Sequence, residues 1–462
     1  MTATANIDAT VSALRDLLGD RLSTGPSILD QHSQDEAYTT PARPDAVAFP
    51  ETTQEVSAIL RICSQHSCPV IPYGIGSSLE GHIVPVQGGI TIDTSRMNKV
   101  LEVHESDLDA VVEPGVTRVQ LNDALRATGL MFTVDPGADA TLGGMAATRA
   151  SGTNTVRYGT MADNVLALEV VLPDGQIIET GTRARKSSSG YDLTKLFVGS
   201  EGTLGIITKL TVKLYGQPEH IAAAACAFPD IESAVDTVIL AIQMGLPMAR
   251  IELLDEVQMR GMNIYNPDMV LPETPHLFLE FHGTEAGVAE KVESFAALVE
   301  DTGGSDFAWA TKTEDRNRLW KARHEAYYAG KALRKGAEGV VTDCCVPISA
   351  LAETIAKAKE IVAQSGLIAP LVGHVGDGNF HLLLLVDPES DDDLKRAKDV
   401  ADQVNRLALD FGGTVSGEHG IGLGKRKYLP DEHGAAYALM STLKKAIDPD
   451  NIMNPGKLVT LN

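Results

Sequence analysis

Hydrophobic positions in this chain follow a helical spacing in some stretches and a strand spacing in others, and the order of the two changes near Gly216-Gln217-Pro218. Ile7, Val11, Leu14, Leu17 and Leu18 recur at helical intervals among Asp8, Arg15, Asp16 and Asp20, which predicts a surface helix at the start. Across residues 50–71, Val56, Ile59, Leu60 and Ile62 make one apolar stripe behind a Thr52 or Thr53 cap, and residues 69–72 then read as a short buried strand. Residues 89–93 and 109–115 predict strands. Residues 117–128 predict an amphipathic helix, and residues 165–178 a hairpin closed by Pro173-Asp174-Gly175.

Beyond residue 218 the pattern becomes strand, helix, strand over 222–228, 231–244 and 249–254. It returns over 276–282 and 287–299, and again over 339–346, 351–364 and 381–386. The likeness is of pattern, with no repeat of residues, and predicts an antiparallel sheet with helices on one face. The fold class is therefore α+β. The expected domains are 1–218, then 219–414, and a C-terminal segment 415–462 whose Pro- and Gly-dense end, residues 448–457, docks back on the first domain.

Composition narrows the function. The 462 residues, 44% hydrophobic, suffice for more than one core. A formal charge of −23 with no compensating basic run argues against a nucleic-acid partner, so an anionic substrate needs a dedicated cationic pocket. No apolar run is long enough for a transmembrane segment and the start lacks a signal-peptide pattern, which makes cytoplasmic the default localisation. The five cysteines lack CxxC spacing and read as reduced thiols, with Cys344 and Cys345 on opposite faces of a strand.

Candidate chemistry concentrates where glycine permits tight backbone. Gly373-His374-Val375-Gly376-Asp377-Gly378-Asn379-Phe380-His381 offers two imidazoles around one turn, with Asp377 or Asn379 available to fix a ligating tautomer. A third ligand is available in residues 413–422, where Glu418 and His419 are adjacent between glycines, and two histidines with one carboxylate make a divalent site with open positions. Residues 73–82, Tyr-Gly-Ile-Gly-Ser-Ser-Leu-Glu-Gly-His, follow a strand and suit an anion, although the spacing is neither GxGxxG nor a Walker loop. Residues 135–154 are nearly all small, as in a tightly packed helix or in backbone pressed against a flat cofactor, and the glycines of 199–205 let a ligand reach backbone or bulge an edge.

Together these segments resemble the vanillyl-alcohol-oxidase-like FAD flavoproteins and, within them, the D-2-hydroxyacid dehydrogenases. Residues 72–82, Asp135-Pro136-Gly137, Ser151-Gly152-Thr153-Asn154, residues 157–161, 198–205 and 373–381, Gly417-Glu418-His419-Gly420 and Asn454-Pro455-Gly456-Lys457 carry the resemblance over nearly the whole chain. It implies a two-subdomain FAD-binding domain of the vanillyl-alcohol-oxidase (PCMH) type beside a substrate domain. It further implies that Tyr73, Gly74, Ile75, Gly76, Ser77 and Ser78 cradle the FAD pyrophosphate. Pro136, Gly137, Thr141, Gly144, Ser151 and Gly152 would lie along the flavin, Glu201, Gly202 and Ile207 near the adenine and ribose, and Asn454 also at the cofactor. His374, His381 and Glu418 would hold a divalent metal, zinc or manganese, with His419 as the base and Arg323 at the substrate carboxylate. His82 occupies a loop position through which some members of the superfamily bind FAD covalently; the resemblance to hydroxyacid dehydrogenases implies noncovalent FAD.

The same resemblance implies oxidation of a small D-2-hydroxy acid, D-lactate to pyruvate in the D-lactate dehydrogenase (cytochrome) branch, with cytochrome c, a quinone or an electron-transfer flavoprotein as acceptor. Relatives acting on 2-hydroxyglutarate carry Thr and Lys where this chain has Tyr327 and Val341 or Thr342, which favours a monocarboxylate. A glycolate oxidase FAD subunit and a D-2-hydroxyglutarate dehydrogenase are the alternative enzymes, and an inactive flavin-binding scaffold is the alternative of another class. A homodimer is compatible with the sequence.

Overall fold

A computed structural model describes residues 5–37, 39–267 and 270–461, with the side chain of Ala322 outside the description. The chain divides into two compact units. One comprises residues 1–151, 159–217 and 418–462, the other 152–158 and 218–417.

The first unit contains β1 (Leu22–Ser23), β2 (Ala46–Ala48), β3 (Val70–Tyr73), β4 (Ile90–Asp93), β5 (Val100–His104), β6 (Asp109–Val112), β7 (Leu130–Met131), β8 (Val165–Val171), β9 (Ile177–Gly181), β10 (Ile206–Lys213) and β11 (Tyr215–Gly216). They form two separate sheets and one small pair. The first sheet, in the order β1-β2-β4-β3, has β2 and β3 parallel to β4. Its core joins Leu14 of the helix Ile7–Leu18 and Val56, Ile59 and Leu60 of the helix Thr53–Gln65 to Val70, Ile90 and Ile92. The Thr52 side chain caps that second helix by accepting from the Glu55 amide at 3.2 Å. The second sheet, in the order β5-β6-β10-β8-β9, is antiparallel and shares its core with Leu121 and Leu125 of the helix Arg118–Leu125.

The second unit is one eight-stranded antiparallel sheet made of β12 (His220–Ala227), β13 (Met248–Leu254), β14 (His276–Gly283), β15 (Ser305–Ala310), β16 (Glu338–Val341), β17 (Cys344–Cys345), β18 (Leu371–His374) and β19 (Asn379–Val386). Its order is β15-β12-β14-β13-β18-β19-β16, with β17 also on β19. Ile251 and Leu253 of β13 and Leu277, Leu279 and Phe281 of β14 point into the main core, together with residues of the helices Ile231–Gln243, Glu285–Asp301, Leu351–Ser365 and Asp391–Asp410. That is the helix-covered face which the alternation of apolar residues predicts. The other face is partly covered as well. Met259 and Met262 of the helix Glu256–Tyr265 and Trp320 of the helix Thr313–His324 pack there on Ala223, Ala225, Leu254 and Phe278. Leu383 and Leu385 of β19 make a second apolar patch there with Ala337, and the polar positions of the face form the candidate site.

Among the described residues no helix is long and apolar enough to cross a membrane. All five cysteines are free thiols. Cys344 is buried and Cys345 partly exposed, as alternation on β17 requires, and burial with Asp343 nearby pushes the Cys345 thiol up to about 12, far from a reactive thiolate.

Candidate active site

The polar face of the second unit follows from register. On adjacent antiparallel strands His381 lies opposite Val372 and His374 opposite Asn379, so the two histidines occupy a diagonal on one face. Their rings stand edge to face with centroids 5.5 Å apart, both nearly buried. The turn between them requires Gly378 at φ +79°, where an added Cβ would overlap the Val346 carbonyl.

Each imidazole is held through Nδ1. His374 Nδ1 lies 2.7 Å from Glu252 Oε1, and His381 Nδ1 donates to the Thr342 carbonyl at 3.0 Å. A carbonyl can only accept, so His381 carries its proton on Nδ1 and its lone pair on Nε2; a carboxylate imposes the same tautomer on His374. These two Nδ1 partners lie outside the glycine-rich motif, within which Asp377 or Asn379 was expected to supply one. The Asn379 amide instead donates to Asp343 and to the Cys344 carbonyl, both at 2.9 Å, because Asp343 is buried beside it and needs donors.

Arg323 reaches the same face from the helix Thr313–His324, where Arg316, Trp320 and Arg323 follow one another at helical intervals. Its Nε and Nη2 both lie 2.7 Å from Glu252 Oε2. Burial alone would raise the Glu252 pKa, but His374 and Arg323 more than offset this and hold it below the usual carboxylate range. A second chain of contacts runs alongside: the Tyr158 hydroxyl meets His282 Nδ1 at 2.8 Å, His282 Nε2 meets Glu280 at 2.7 Å, and Arg250 stands 3.6 Å from Glu280 and over the Trp320 ring. None of Glu252, Glu280, His282 and Arg250 belongs to a glycine-rich motif. The legible signal is their spacing: Arg250 and Glu252 on β13, and Glu280 and His282 on β14, are charged or imidazole groups two residues apart in otherwise largely apolar strands.

Gly417, the last residue of this unit before Glu418, is pressed against Asn379 so closely that a Cβ would overlap its amide, while Ser416 Oγ donates to Asp343 at 2.8 Å.

In the first unit, the chain after Tyr73 forms a loop that bends at Gly76 and Gly81, both at positive φ. A Cβ on Gly74 would come within 2.5 Å of Thr141 Oγ1, and the loop therefore lies directly against the start of the helix Leu142–Thr148. Asp35, which sequence inspection passes over, ties the loop down by accepting from Ser78 Oγ at 2.8 Å and the His82 amide at 3.1 Å. Ser77 is partly exposed and Ile75 is 44% exposed. Pro136 and Gly137 lie in a loop with open space around Gly137, and Gly144 stands one turn after Thr141. Gly152 groups with the second unit.

Glu201 is buried and its carboxylate receives the amides of Ile421 and Gly422 at 2.7 and 2.9 Å, just after Glu418-His419, with His82 Nε2 at 3.3 Å. Burial would lower the His82 pKa, but Glu201 raises it on balance. Asn454 clips the same region by donating to the His82 and Glu201 carbonyls at 3.0 and 2.8 Å. Gly202 rests on Pro72, and Ile207 is a core residue of β10. Glu418 accepts from Ser151 Oγ at 3.1 Å and lies 3.8 Å from His419 Nε2.

Comparison with known proteins fixes the family. Residues 44–181 match the FAD binding domain family and residues 217–458 the C-terminal domain of FAD linked oxidases. Over 99% of its length the chain is 50% identical to a probable mitochondrial D-lactate dehydrogenase of Danio rerio, covering 93% of that protein. The chain belongs to the D-lactate dehydrogenase family of FAD-linked oxidases. A second member of this family, the mitochondrial D-lactate dehydrogenase [cytochrome] of Arabidopsis thaliana, is 44% identical over 97% of the chain and 80% of its own length. The 4-ethylphenol oxidase of Gulosibacter chungangensis superposes with a TM-score of 0.81 at 18% identity, covering 99% of the chain and 98% of its own, which establishes the PCMH-type fold.

The residues of this family member fit the cofactor that the family is named for. Thr141 Oγ1 is buried with no hydrogen-bond partner among the described residues, and the bare backbone of Gly74 faces it. The two nitrogen donors of His374 and His381 likewise suit a divalent ion.

Proposed function

We propose that the protein oxidises a small D-2-hydroxy acid, D-lactate to pyruvate, and passes the electrons to cytochrome c, a quinone-linked acceptor or an electron-transfer flavoprotein. The observation that carries this reading is the pairing of His374 and His381, each oriented through Nδ1, with Arg323 on one polar sheet face. The names of the two relatives supply the substrate.

FAD, when bound, supplies a two-electron acceptor for the hydride leaving C2, and a divalent ion, zinc or manganese, would acidify the substrate hydroxyl. His374 and His381, with Glu418 as the third ligand that the family resemblance implies, would hold that ion. His419 takes the hydroxyl proton. Arg323 orients the carboxylate with the outer edge of its guanidinium while Glu252 fixes the inner edge. In the first unit Tyr73, Gly74, Ile75, Gly76, Ser77, Ser78, Thr141 and Gly144 hold the cofactor. Glu201, through the Ile421 and Gly422 amides, and Asn454, through the His82 and Glu201 carbonyls, also fix the loops of this cradle, and both keep the cofactor-binding role that the resemblance implies.

Two relatives are named as mitochondrial, and the five free thiols are compatible with either the cytoplasm or the mitochondrial matrix; we propose a reducing compartment of this kind. The test is anaerobic mixing of the purified yellow protein with D-lactate, L-lactate, glycolate and D-2-hydroxyglutarate while flavin absorbance is followed. D-lactate should bleach it fastest, and acid should release the FAD. Preference for L-lactate or for the dicarboxylate, or no bleaching by any 2-hydroxy acid, would overturn the assignment.

A further inference from the structure

Glu252 touches both a proposed metal ligand and the proposed substrate clamp. It stands on β13 between Ile251 and Leu253, whose side chains enter the opposite, apolar core. Its carboxylate is fully buried. One oxygen meets His374 and the other Arg323, all at 2.7 Å. Burying a carboxylate is costly even when it is paired, and an apolar residue of the same size is often the more stable choice. The contacts of Glu252 therefore point to a purpose other than packing. From its two partners we infer that Glu252 is a positioning residue that couples the binding of the metal to the binding of the substrate carboxylate. Oε1 keeps the His374 proton on Nδ1 and turns Nε2 toward the ion. Oε2 holds Arg323 side-on and leaves the fork edge to the substrate. Because both grips belong to one rigid carboxylate, displacement of either partner moves the other.

This inference rests on the roles proposed above for His374 and Arg323. Its test uses the FAD-loaded full chain and reads Mn²⁺ affinity from the electron-spin signal of free Mn²⁺, alongside KM and kcat for D-lactate. E252A should weaken Mn²⁺ binding on the order of 10- to 100-fold, as loss of the hydrogen bond behind a ligating histidine does. E252Q keeps an acceptor for His374 but turns an amide NH₂ toward Arg323, so it should raise KM at least about tenfold with a smaller change in Mn²⁺ affinity. In an Arg323→Ala background the E252Q effect on KM should vanish, since coupled residues are not additive. Where E252A fails to retain flavin, E252D provides the same readouts with a shortened carboxylate, and both affinities should fall. Wild-type Mn²⁺ affinity and KM in flavin-loaded E252A and E252Q would refute the inference while leaving the proposed function intact. A wild-type enzyme that binds no divalent ion would instead refute the metal reading, and additive KM effects of Glu252 and Arg323 would then remove the remaining half.

Discussion

Two clusters of buried charge, one in each unit, hold different things. In the first unit Glu201 holds the backbone amides of Ile421 and Gly422, Lys444 donates to Asp448 and to the carbonyls of Thr203 and Met453, and Lys457 donates to the Val84 carbonyl. These groups stitch loops and the C-terminal segment together. In the second unit Glu252 and Glu280 meet His374, Arg323, His282 and Arg250, side chains rather than backbone, on a sheet that hydrogen bonds already hold. A loop-built cofactor site needs buried charge to have a shape at all, whereas a sheet-built site can spend it on chemistry. Breaking a charge in the first unit should therefore cost stability, and breaking a functional group in the second should cost turnover.

The largest effect is expected at the histidine pair. His381→Ala leaves too few ligands for the proposed ion, so bound metal should be lost and turnover with D-lactate should fall on the order of 10²-fold or more, with thermal stability and flavin content close to wild type. Chelation of the wild-type protein should do the same, with recovery on adding Mn²⁺ or Zn²⁺. Metal analysis and turnover decide it: full activity in metal-free protein removes His374, His381 and Glu418 as ligands. The counterpart in the first unit is Lys444→Met. It leaves the buried Asp448 carboxylate with the Ile452 and Met453 amides but no cation, and should destabilise that unit by about 3–5 kcal/mol, the usual result of removing one partner of a buried pair. Denaturant unfolding of the flavin-loaded protein reads this, and the residual folded fraction should keep a normal KM.

An intermediate case is Gly417→Ala. The new Cβ would overlap the Asn379 amide, which is itself held by Asp343 and the Cys344 carbonyl and cannot move away cheaply. Overpacking of this kind costs about 1–3 kcal/mol. Since Gly417 precedes Glu418 and His419, metal affinity and flavin reduction should drop too. Gly137→Ala, with nothing within 4 Å of the added carbon, serves as the control and should be close to neutral in stability. Equal losses in both variants would show that the close approach to Asn379 is not the cause, since the lower entropy of an unfolded chain with alanine can only add stability.

How far this contrast is legible in the sequence depends on what marks each site. Glycine clusters expose the loops 73–82, 373–381 and 413–422, because positive φ at Gly76, Gly378 and Gly420 leaves few alternatives to glycine. The strands that build the two main sheets, and the helices Thr53–Gln65, Ile231–Gln243, Glu285–Asp301 and Leu351–Ser365, are legible from apolar spacing alone. Asp35, Glu201 as an amide acceptor and Glu252 were not, since a single carboxylate shows nothing in sequence about the donors that surround it. Glu252 and Glu280 left a trace as charges spaced two apart in apolar strands. Asp35 left none: its partners Ser78 and the His82 amide lie 43 and 47 residues away. The second layer of helices on the polar face also escaped, because Trp320 is buried on a helix whose composition is mostly charged.

The smallest expected effect concerns Lys457, and it tests whether buried charge in the first unit serves architecture alone. Burial lowers its pKa to about 7, with Arg426 adding to the effect, whereas in the unfolded chain a lysine titrates near 10.4. Between these values the unfolded chain binds one more proton than the folded protein, so stability must rise with pH across that window and be flat in this respect below pH 7. Lys457→Gln keeps a donor for the Val84 carbonyl and removes the titration. From pH 7 to pH 9 wild type should therefore gain about 2 kcal/mol relative to the variant, the slope of one proton over two pH units discounted for incomplete burial. His82, whose raised pKa makes stability fall as pH rises above about 6.5, acts in the opposite direction but is common to both proteins and cancels in the difference. Paired denaturant curves at each pH measure the gap. A gap that does not change with pH would mean that Lys457 stays protonated in the fold, and would require a carboxylate such as Asp35 or Glu201 to hold it charged.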